Sequence, residues 1–388
     1  MIRILTYKEH PRGKEIWDRY LYLAAFILPF PTAEVLGTDT LEVDGKTITA
    51  ENLCQESGKR PRNRTKKYMN LLKDNKVVGG LAPSQTLWEQ DYLLAAKLIW
   101  SANKALYAYL YQVNDVNVEP MGPPPIQRKN LRDLLTAKMD ALPTELKRIG
   151  EVVGEDCELL LRNVFRYESF SDNKHAVKML EAMDVNVCPY CNRLYTMTLD
   201  GNSGKSRPQF DHYKSKSKYP YFAVSLMNLV PSCGLCNQSK HDGDEEVLYP
   251  YSDEMGLDVL FHTKPTTGLN YLTGSVGALD EFSVALDIVN GNLPESLKDK
   301  IQNSDKVFNL TELYNKHKDY ILYLYWKNYV FTDEYLEELY EEFPEVFQSF
   351  EDTKSMVYLM DISQKQWGRW SLGKLTHDID QEIKETMK

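Results

Sequence analysis

The chain has 388 residues, of which 43% are hydrophobic and 26% charged, a composition typical of a soluble globular protein of about two or three domains. Its formal net charge of -10 disfavours a protein that coats nucleic acid along its whole surface, because phosphate affinity comes mainly from lysine and arginine. The longest apolar run, residues 21–30, is too short to cross a bilayer and contains Pro29. We therefore expect a cytoplasmic protein with no membrane partner.

The N-terminal region is predicted to be a mostly helical domain over residues 1–118. The stretch "LEVDGKTIT" predicts a small hairpin in it, because Asp44 and Gly45 tolerate the backbone angles of a tight turn. Apolar residues at helical spacing predict one long helix over residues 83–113, whose aromatic side chains are expected to fill a core and not to stack on bases. Clustered prolines in "EPMGPPPI", residues 119–126, predict a linker.

Helical patterns near residues 128–149 and 172–184 predict a connector domain over residues 126–184. Between residues 185 and 250 the sequence changes to short strand-like runs, glycine turns and paired cysteines. This change predicts a small, separate module that contains the chemically reactive residues.

A mainly helical C-terminal region is predicted over residues 251–388, with a strand at "EFSVALDIV" and a long helical stretch over residues 310–343. Residues 333–345 contain seven acidic residues and no basic one, so this segment should repel nucleic acid. We interpret it as a solvated helix face, with a docking surface for a basic partner as the less favoured alternative.

Four of the six cysteines form two Cys-x-x-Cys pairs, Cys188/Cys191 and Cys233/Cys236. In a reducing compartment this pairing favours a metal over disulfides or redox thiols. Two such pairs complete a closed tetrahedral shell, which predicts a structural Zn²⁺ with no open position for catalysis. The remaining cysteines, Cys54 and Cys157, are predicted to be buried thiols.

The segment "SRPQFDHYKSKSKYPYFAVSLMNLVPSCGLCNQSKHD" contains the second cysteine pair and the residues before it. Over residues 188–242 the chain resembles the HNH endonuclease family, whose ββα-metal fold has Asp-His at the end of one strand, Asn before the next, and Cys-x-x-Cys followed by His or Asn on a short helix. The matching residues here are Asp211-His212, Asn228 and Asn237. The resemblance implies an α+β fold, a mostly α-helical protein with an embedded zinc-braced ββα-metal module.

The same resemblance implies metal-dependent hydrolysis of phosphodiester bonds. His212 would act as the general base, since a neutral imidazole titrates near physiological pH. Asp211 and Asn237 would supply oxygen ligands to a catalytic Mg²⁺ or Mn²⁺, and Asn228 would brace the loop that orients the histidine. Neighbours on an ideal strand face opposite sides, so Asp211 and His212 can serve one phosphate only if the strand ends or twists there.

His241 follows Asn237 by four residues and would lie on the same face if the helix continues. We expect it to support the catalytic residues or to contact phosphate. Direct metal ligation is the less favoured alternative, because Gly243 could end the helix early.

Several basic residues surround the proposed site in a chain that is otherwise acidic, which favours local phosphate binding over a merely solvated loop. The predicted nucleic-acid-binding residues are Lys205, Arg207, Lys214, Lys216, Lys218 and Lys240. A second basic run, residues 59–67, is interpreted equally well as an auxiliary DNA contact or a surface loop.

The motifs "CPYC", "FDHYKSKSKYP", "NLVPSCGLCNQSK" and "LTELYNKH" resemble the HNH proteins of bacterial anti-phage systems, including Septu-type and retron-associated ones. That resemblance implies an effector nuclease acting on DNA, most simply double-stranded, with a separate ATPase as its partner. Two alternatives stay open on the sequence: a non-catalytic zinc module that binds nucleic acid or a partner protein, and an HNH enzyme that cleaves RNA.

Overall fold

The computed structural model describes residues 1–57, 63–77, 87–201, 204–243 and 245–386. Helices supply most of the regular structure in these ranges, together with four two-stranded antiparallel sheets. The protein is therefore of the α+β class, as predicted. None of the helices in the described ranges has the length and apolarity of a membrane span.

The N-terminal region consists of α1 (Gly13–Ile27), α2 (Thr32–Leu36), β1 (Leu41–Val43), β2 (Lys46–Ile48), α3 (Ala50–Ser57), α4 (Asn63–Asp74), α5 (Leu87–Ala102) and α6 (Lys104–Tyr111). The predicted hairpin is confirmed, since β1 pairs antiparallel with β2. Asp44 and Gly45 both have positive φ angles, 51° and 74°, as a two-residue turn between twisted strands requires.

The prediction of a single helix over residues 83–113 is wrong. The described part of this segment forms two helices, α5 and α6, separated by a break at Asn103. The Asn103 side chain accepts a hydrogen bond from the Leu106 backbone N–H at 2.8 Å and so caps the start of α6. Residues 83–86 lie outside the described residues. The packing role of the aromatic residues is confirmed for Tyr92, Tyr107 and Tyr111, which are buried.

Residues 119–126 form neither helix nor strand, as the prolines predict. The chain then enters α7 (Arg128–Thr136), α8 (Thr144–Lys147), α9 (Glu155–Phe165), α10 (Tyr167–Ser171) and α11 (Lys174–Met183). The helical pattern near residues 128–149 thus corresponds to two helices, and the pattern near 172–184 to α11. Helices α9 and α10 were not predicted.

The cysteine-rich module contains β3 (Leu199–Gly201), β4 (Gly204–Ser206), β5 (Gln209–His212), β6 (Leu229–Ser232) and α12 (Gly234–Lys240). Strand β5 pairs antiparallel with β6, with Asp211 opposite Val230 and His212 opposite Leu229. Helix α12 follows β6 directly, and the Cys233 sulfur at its N-cap accepts from the Cys236 backbone N–H at 3.5 Å. The order of these elements is strand, strand, helix.

The C-terminal region consists of β7 (Val259–Pro265), β8 (Phe282–Ile288), α13 (Glu295–Phe308), α14 (Leu310–Tyr314), α15 (Lys318–Val330), α16 (Asp333–Glu342), α17 (Phe350–Tyr358) and α18 (Gly373–Thr386). The predicted strand at "EFSVALDIV" is confirmed as β8, paired with β7. The long helical stretch is divided into α14, α15 and α16, the last of which is capped by the Thr332 side chain. The acidic side chains of α16 are mostly exposed, as a solvated face would be.

One continuous apolar core connects regions that the sequence divides into four domains. Its buried residues extend from Met1 to Ile383. The Tyr20 hydroxyl in α1 lies within hydrogen-bonding distance of the carbonyls of Leu135 (2.8 Å) and Val224 (3.0 Å), which belong to the predicted connector and the cysteine-rich module. The module is therefore packed into the helical body, which holds it in place.

Candidate functional site

Four cysteine sulfurs converge at one buried point, as the two Cys-x-x-Cys pairs predict. The sulfurs of Cys188, Cys191, Cys233 and Cys236 all lie within 4.8 Å of one another, and the four side chains are buried. Cys191 and Cys233 are 4.0 Å apart, far longer than the ~2.05 Å of a disulfide and close to the ~3.8 Å expected between thiolates on a tetrahedral Zn²⁺. The arrangement and the donor atoms suit a metal ion such as zinc.

The electrostatics of this cluster also favour a cation. Burial raises the pKa of the Cys188 thiol well above its ordinary value. Four thiolates packed this closely in an apolar core would repel one another, whereas a divalent cation among them would stabilise the charged form. Of the other two cysteines, Cys157 is half-buried, not buried as predicted, and the Cys54 side chain lies outside the described residues.

The loop that carries the first cysteine pair is anchored by Asn192, which directly follows Cys191. Asn192 has a positive φ of 48°, and its buried side chain donates to the Trp367 carbonyl at 2.7 Å and accepts from the Lys374 backbone N–H at 3.0 Å. The Tyr314 hydroxyl donates to the Cys191 carbonyl at 2.7 Å. The C-terminal region thus fixes the cysteine loop from outside the module.

His212 lies at the end of β5 with one ring nitrogen occupied and is 8% exposed. Its Nε2 is 2.9 Å from the Ala223 carbonyl oxygen. Because a carbonyl only accepts, Nε2 carries the proton in the neutral ring and Nδ1 is the free acceptor. The Tyr167 ring packs edge-on against the imidazole, with the centroids 4.4 Å apart, and restricts its orientation.

A cavity of about 320 Å³ opens beside this imidazole. Four of the predicted site residues line it: Arg207, His212, Lys216 and Asn237. The Lys216 ammonium lies 4.8 Å from the centre of the Tyr167 ring and 4.0 Å from a Glu168 carboxylate oxygen. Two basic side chains and an imidazole therefore line a space large enough for a phosphate group.

Asp211 does not line this cavity. Both Asp211 and His212 lie within β5, so the strand alternation holds and their side chains leave opposite faces. The Asp211 carboxylate is buried, accepts from the Tyr190 hydroxyl at 2.6 Å and lies 3.4 Å from the Lys240 ammonium. Burial raises the pKa of Asp211, and the nearby ammonium opposes this shift.

Asn237, the other expected oxygen ligand, lines the cavity but donates its side-chain amide to the Gln209 side-chain oxygen at 2.7 Å. This bond leaves the Asn237 oxygen open, but Asp211 does not line the cavity that Asn237 lines, so the two do not come together as the Mg²⁺ or Mn²⁺ site that the family resemblance implies.

Asn228 is fully buried and holds the loop between β5 and β6. Its side-chain oxygen accepts from the Lys214 backbone N–H at 2.7 Å, and its amide donates to the carbonyls of Lys214 (3.1 Å) and Phe222 (3.0 Å). Phe222 directly precedes Ala223, whose carbonyl oxygen holds the His212 ring. These are the contacts that a loop brace would make.

The remaining predicted residues lie away from the cavity or cannot be placed. His241 follows the last residue of α12 and has a positive φ of 42°, so the helix does not continue to place it beside Asn237. Lys240 is buried against Asp211, and Lys214 and Lys218 line a different cavity. The side chain of Lys205 lies outside the described residues.

Of the basic run at residues 59–67, residues 59–62 lie outside the described residues, and α4 begins at Asn63. Lys66 and Lys67 are exposed on that helix. The two interpretations of this run stay open.

Three contacts of the site were not predicted from the sequence. Tyr167 belongs to α10, far upstream, and nothing in its local sequence points to His212. The Ala223 carbonyl is a backbone group, which side-chain motifs do not show. Tyr190 lies inside "CPYC", where a tyrosine between two ligand cysteines is the one signal that could have suggested it.

Lowering the pH should destabilise the protein through His212. Burial lowers the pKa of His212 from 6.5 to about 3. Between these values the unfolded chain binds a proton that the folded chain excludes, so stability falls as the pH drops, by up to about 1.4 kcal/mol per pH unit. Urea unfolding between pH 7 and 5 should show this slope, and His212→Gln should reduce it; equal slopes in the two proteins would contradict the burial of a neutral imidazole.

Comparison with known proteins finds a distant relative in a bacteriophage. Protein ea31 of Escherichia phage lambda is 28% identical to this chain over 137 residues, which cover 33% of this chain and 42% of the phage protein. The match therefore spans less than half of that relative. No family model matches the chain, and no solved structure matches it significantly.

Proposed function

We propose that the protein is an HNH-type endonuclease that hydrolyses phosphodiester bonds of DNA. The observation that carries this proposal is the cavity lined by His212, Arg207 and Lys216, together with the Ala223 carbonyl that binds Nε2 of His212 and so leaves Nδ1 as the unprotonated ring nitrogen. The four-cysteine site would brace helix α12 and, through β6, strand β5, which both contribute to the cavity wall. With four thiolates it offers no open coordination position, so a zinc ion there would be structural.

In this proposal His212 accepts a proton from the attacking water through Nδ1, while Nε2 remains bonded to Ala223. Burial keeps the imidazole neutral but also makes it a weak base, given its low pKa. A phosphate entering the cavity brings negative charge and excludes solvent, and the charge raises the pKa of the imidazole towards the value that a general base needs. Arg207 and Lys216 would stabilise the charge that develops on the phosphate oxygens.

Nuclease assays on purified protein test the proposal. Supercoiled plasmid, linear duplex DNA and a folded RNA should be incubated with Mg²⁺ or Mn²⁺, and we expect nicking or linearisation of the plasmid. If only the RNA is cleaved, the substrate is RNA and not DNA. Zinc binding and DNA binding without cleavage of any substrate, with or without ATP and a partner, would instead support a non-catalytic zinc module.

The cavity cations should contribute to the salt dependence of DNA binding. Each phosphate contact that is lost should reduce the slope of log K against log salt by about 0.9. We expect this reduction for Lys216→Met and for Arg207→Gln, measured by fluorescence anisotropy with a duplex between 50 and 200 mM salt. Lys306→Met, at a lysine paired with Glu245 elsewhere on the surface, is the matched control and should leave the slope unchanged. An unchanged slope in both cavity variants would place the DNA elsewhere.

We further propose that this nuclease is the effector of a bacterial anti-phage complex with a separate ATPase. The motif resemblance supports this part of the proposal. Co-expression with the neighbouring genes, followed by purification and cleavage assays with and without ATP, tests it. Cleavage at a rate that neither the partner nor ATP changes would contradict the complex and leave the nuclease proposal standing.

A further inference from the structure

Asp211 lies at the centre of a set of contacts that joins the two Cys-x-x-Cys pairs to the main chain of His212. Its carboxylate oxygen Oδ2 accepts from the Tyr190 hydroxyl at 2.6 Å and lies 3.4 Å from the Lys240 ammonium. The same ammonium donates to the His212 carbonyl at 2.6 Å. We call Tyr190, Asp211 and Lys240 the buried polar chain, since their side chains are between 0% and 9% exposed.

Each half of the cysteine site contributes one end of the buried polar chain. Tyr190 lies between Cys188 and Cys191, in the loop that carries the first pair. Lys240 is the last residue of α12, the helix that begins directly after Cys233 and contains Cys236. Any metal that pulls the two cysteine pairs together therefore also brings a phenol and an ammonium to the same carboxylate.

The buried polar chain acts on the opposite face of β5 from the cavity. Lys240 holds the backbone carbonyl of His212, while the imidazole is held on the other side by Ala223 and Tyr167. His212 is thus fixed both through its main chain and through its ring. A catalytic group must be held in this way, because a displacement of about 1 Å can reduce a rate about a hundredfold.

We propose that Asp211 is a positioning residue: with Tyr190 and Lys240 it transmits the geometry of the four-cysteine site to His212, and it is not a ligand of a catalytic cation. The catalytic consequence rests on the proposed function, whereas the structural coupling does not. Lys240 supplies the partner of opposite sign that a buried carboxylate needs, and Tyr190 donates a hydrogen bond to the same carboxylate.

Three variants test the buried polar chain: Asp211→Asn, Lys240→Met and Tyr190→Phe. Gln238→Met, at an exposed position on the same helix, and Tyr195→Phe, at an exposed tyrosine after the first cysteine pair, are the matched controls. The first measurement is the side-chain NMR spectrum of His212 in the zinc-loaded full chain labelled at histidine with ¹³C and ¹⁵N. We expect the His212 resonances to shift in the three variants, to shift little in the controls, and to return towards the native positions in Lys240→Arg.

The second measurement separates positioning from metal ligation. Mn²⁺ binding, followed by electron paramagnetic resonance, should be weakened less than twofold by Asp211→Asn. Loss of Mn²⁺ affinity by tenfold or more in Asp211→Asn, with no loss in Lys240→Met, would overturn the proposal. So would His212 resonances that do not move in the folded, zinc-loaded variants.

Cleavage rates provide the third measurement. Because the two residues act as one unit, the double variant of Asp211→Asn and Lys240→Met should lose no more activity than the more damaged single variant. Additive losses would overturn the proposal. If the wild-type protein cleaves nothing, the proposed function fails, and the histidine spectra still decide whether the coupling exists.

Discussion

Replacing His212 with alanine should lower the rate of plasmid cleavage by about two to four orders of magnitude, the usual contribution of a general base. In the proposed mechanism the ring provides the Nδ1 acceptor, and among the described residues that line this cavity no other imidazole can replace it. Zinc content and the far-ultraviolet circular dichroism spectrum should remain native, because His212 lies outside the four-cysteine cluster. Initial rates on supercoiled plasmid at saturating divalent ion measure the effect.

Chemical rescue distinguishes a missing base from a collapsed cavity. Free imidazole can occupy the space that the alanine leaves and should restore part of the rate, with a dependence on imidazole concentration that saturates. His262→Ala, at a partly exposed histidine on β7, is the control and should cleave at the wild-type rate. A fully active His212→Ala protein would remove the assignment of the base.

Replacing Cys233 with serine should unfold the cysteine-rich module. Structural zinc contributes on the order of 10 kcal/mol to the folding of small zinc modules, which is comparable with the whole stability of a typical domain. Cys233 is also the N-cap of α12, a position that serine fills well, so the expected loss comes from the missing metal ligand and not from the cap. We expect a zinc content near zero and loss of amide hydrogen-exchange protection over β5, β6 and α12.

Removing zinc with a strong chelator should likewise abolish the hydrogen-exchange protection over β5, β6 and α12. The protection should return when zinc is added back. Cys157→Ser is the matched control, since this half-buried thiol lies outside the cluster. A chain that keeps its full hydrogen-exchange protection in the chelator would contradict a metal-dependent fold.

The cysteine cluster was predictable from sequence because its ligands come as two closely spaced pairs, and such spacing restricts where the sulfurs can lie. The hairpin at Asp44-Gly45 was predictable for a similar reason, since its turn is specified by two adjacent residues. Both features depend on local geometry. The break at Asn103 was also local, but an asparagine within an apolar helical pattern does not show beforehand that its side chain will cap a new helix.

The environment of Asp211 could not be predicted, because it depends on residues that are distant in the sequence. The alternation of side chains along a strand raised the geometric problem correctly. Although β5 ends at His212, both this residue and Asp211 are paired with β6, and their side chains leave opposite faces of the strand. The family motif names Asp211 and Asn237 as a pair, but it contains no information about Tyr190 or Lys240. In the folded chain the Tyr190 hydroxyl donates a hydrogen bond to the Asp211 carboxylate, and the Lys240 ammonium forms an ion pair with it.

The cavity itself was only partly predictable. The family motif predicted His212 and Asn237 as site residues, and the local excess of basic residues predicted Arg207 and Lys216; all four line the cavity. Tyr167 comes from a helix that the sequence did not predict, and it contacts both the imidazole and the Lys216 ammonium. Long-range packing of this kind depends on the whole core, which joins α10 to the module.

A crystal structure of the His212→Ala protein with a short DNA duplex and Mn²⁺ tests the site most directly. The inactive variant retains its substrate, and anomalous scattering distinguishes zinc from manganese. We expect zinc among the four cysteines and a backbone phosphate in the cavity, within hydrogen-bonding distance of Arg207 or Lys216. A duplex bound with its phosphates elsewhere, and that cavity empty of DNA, would contradict the proposed active site.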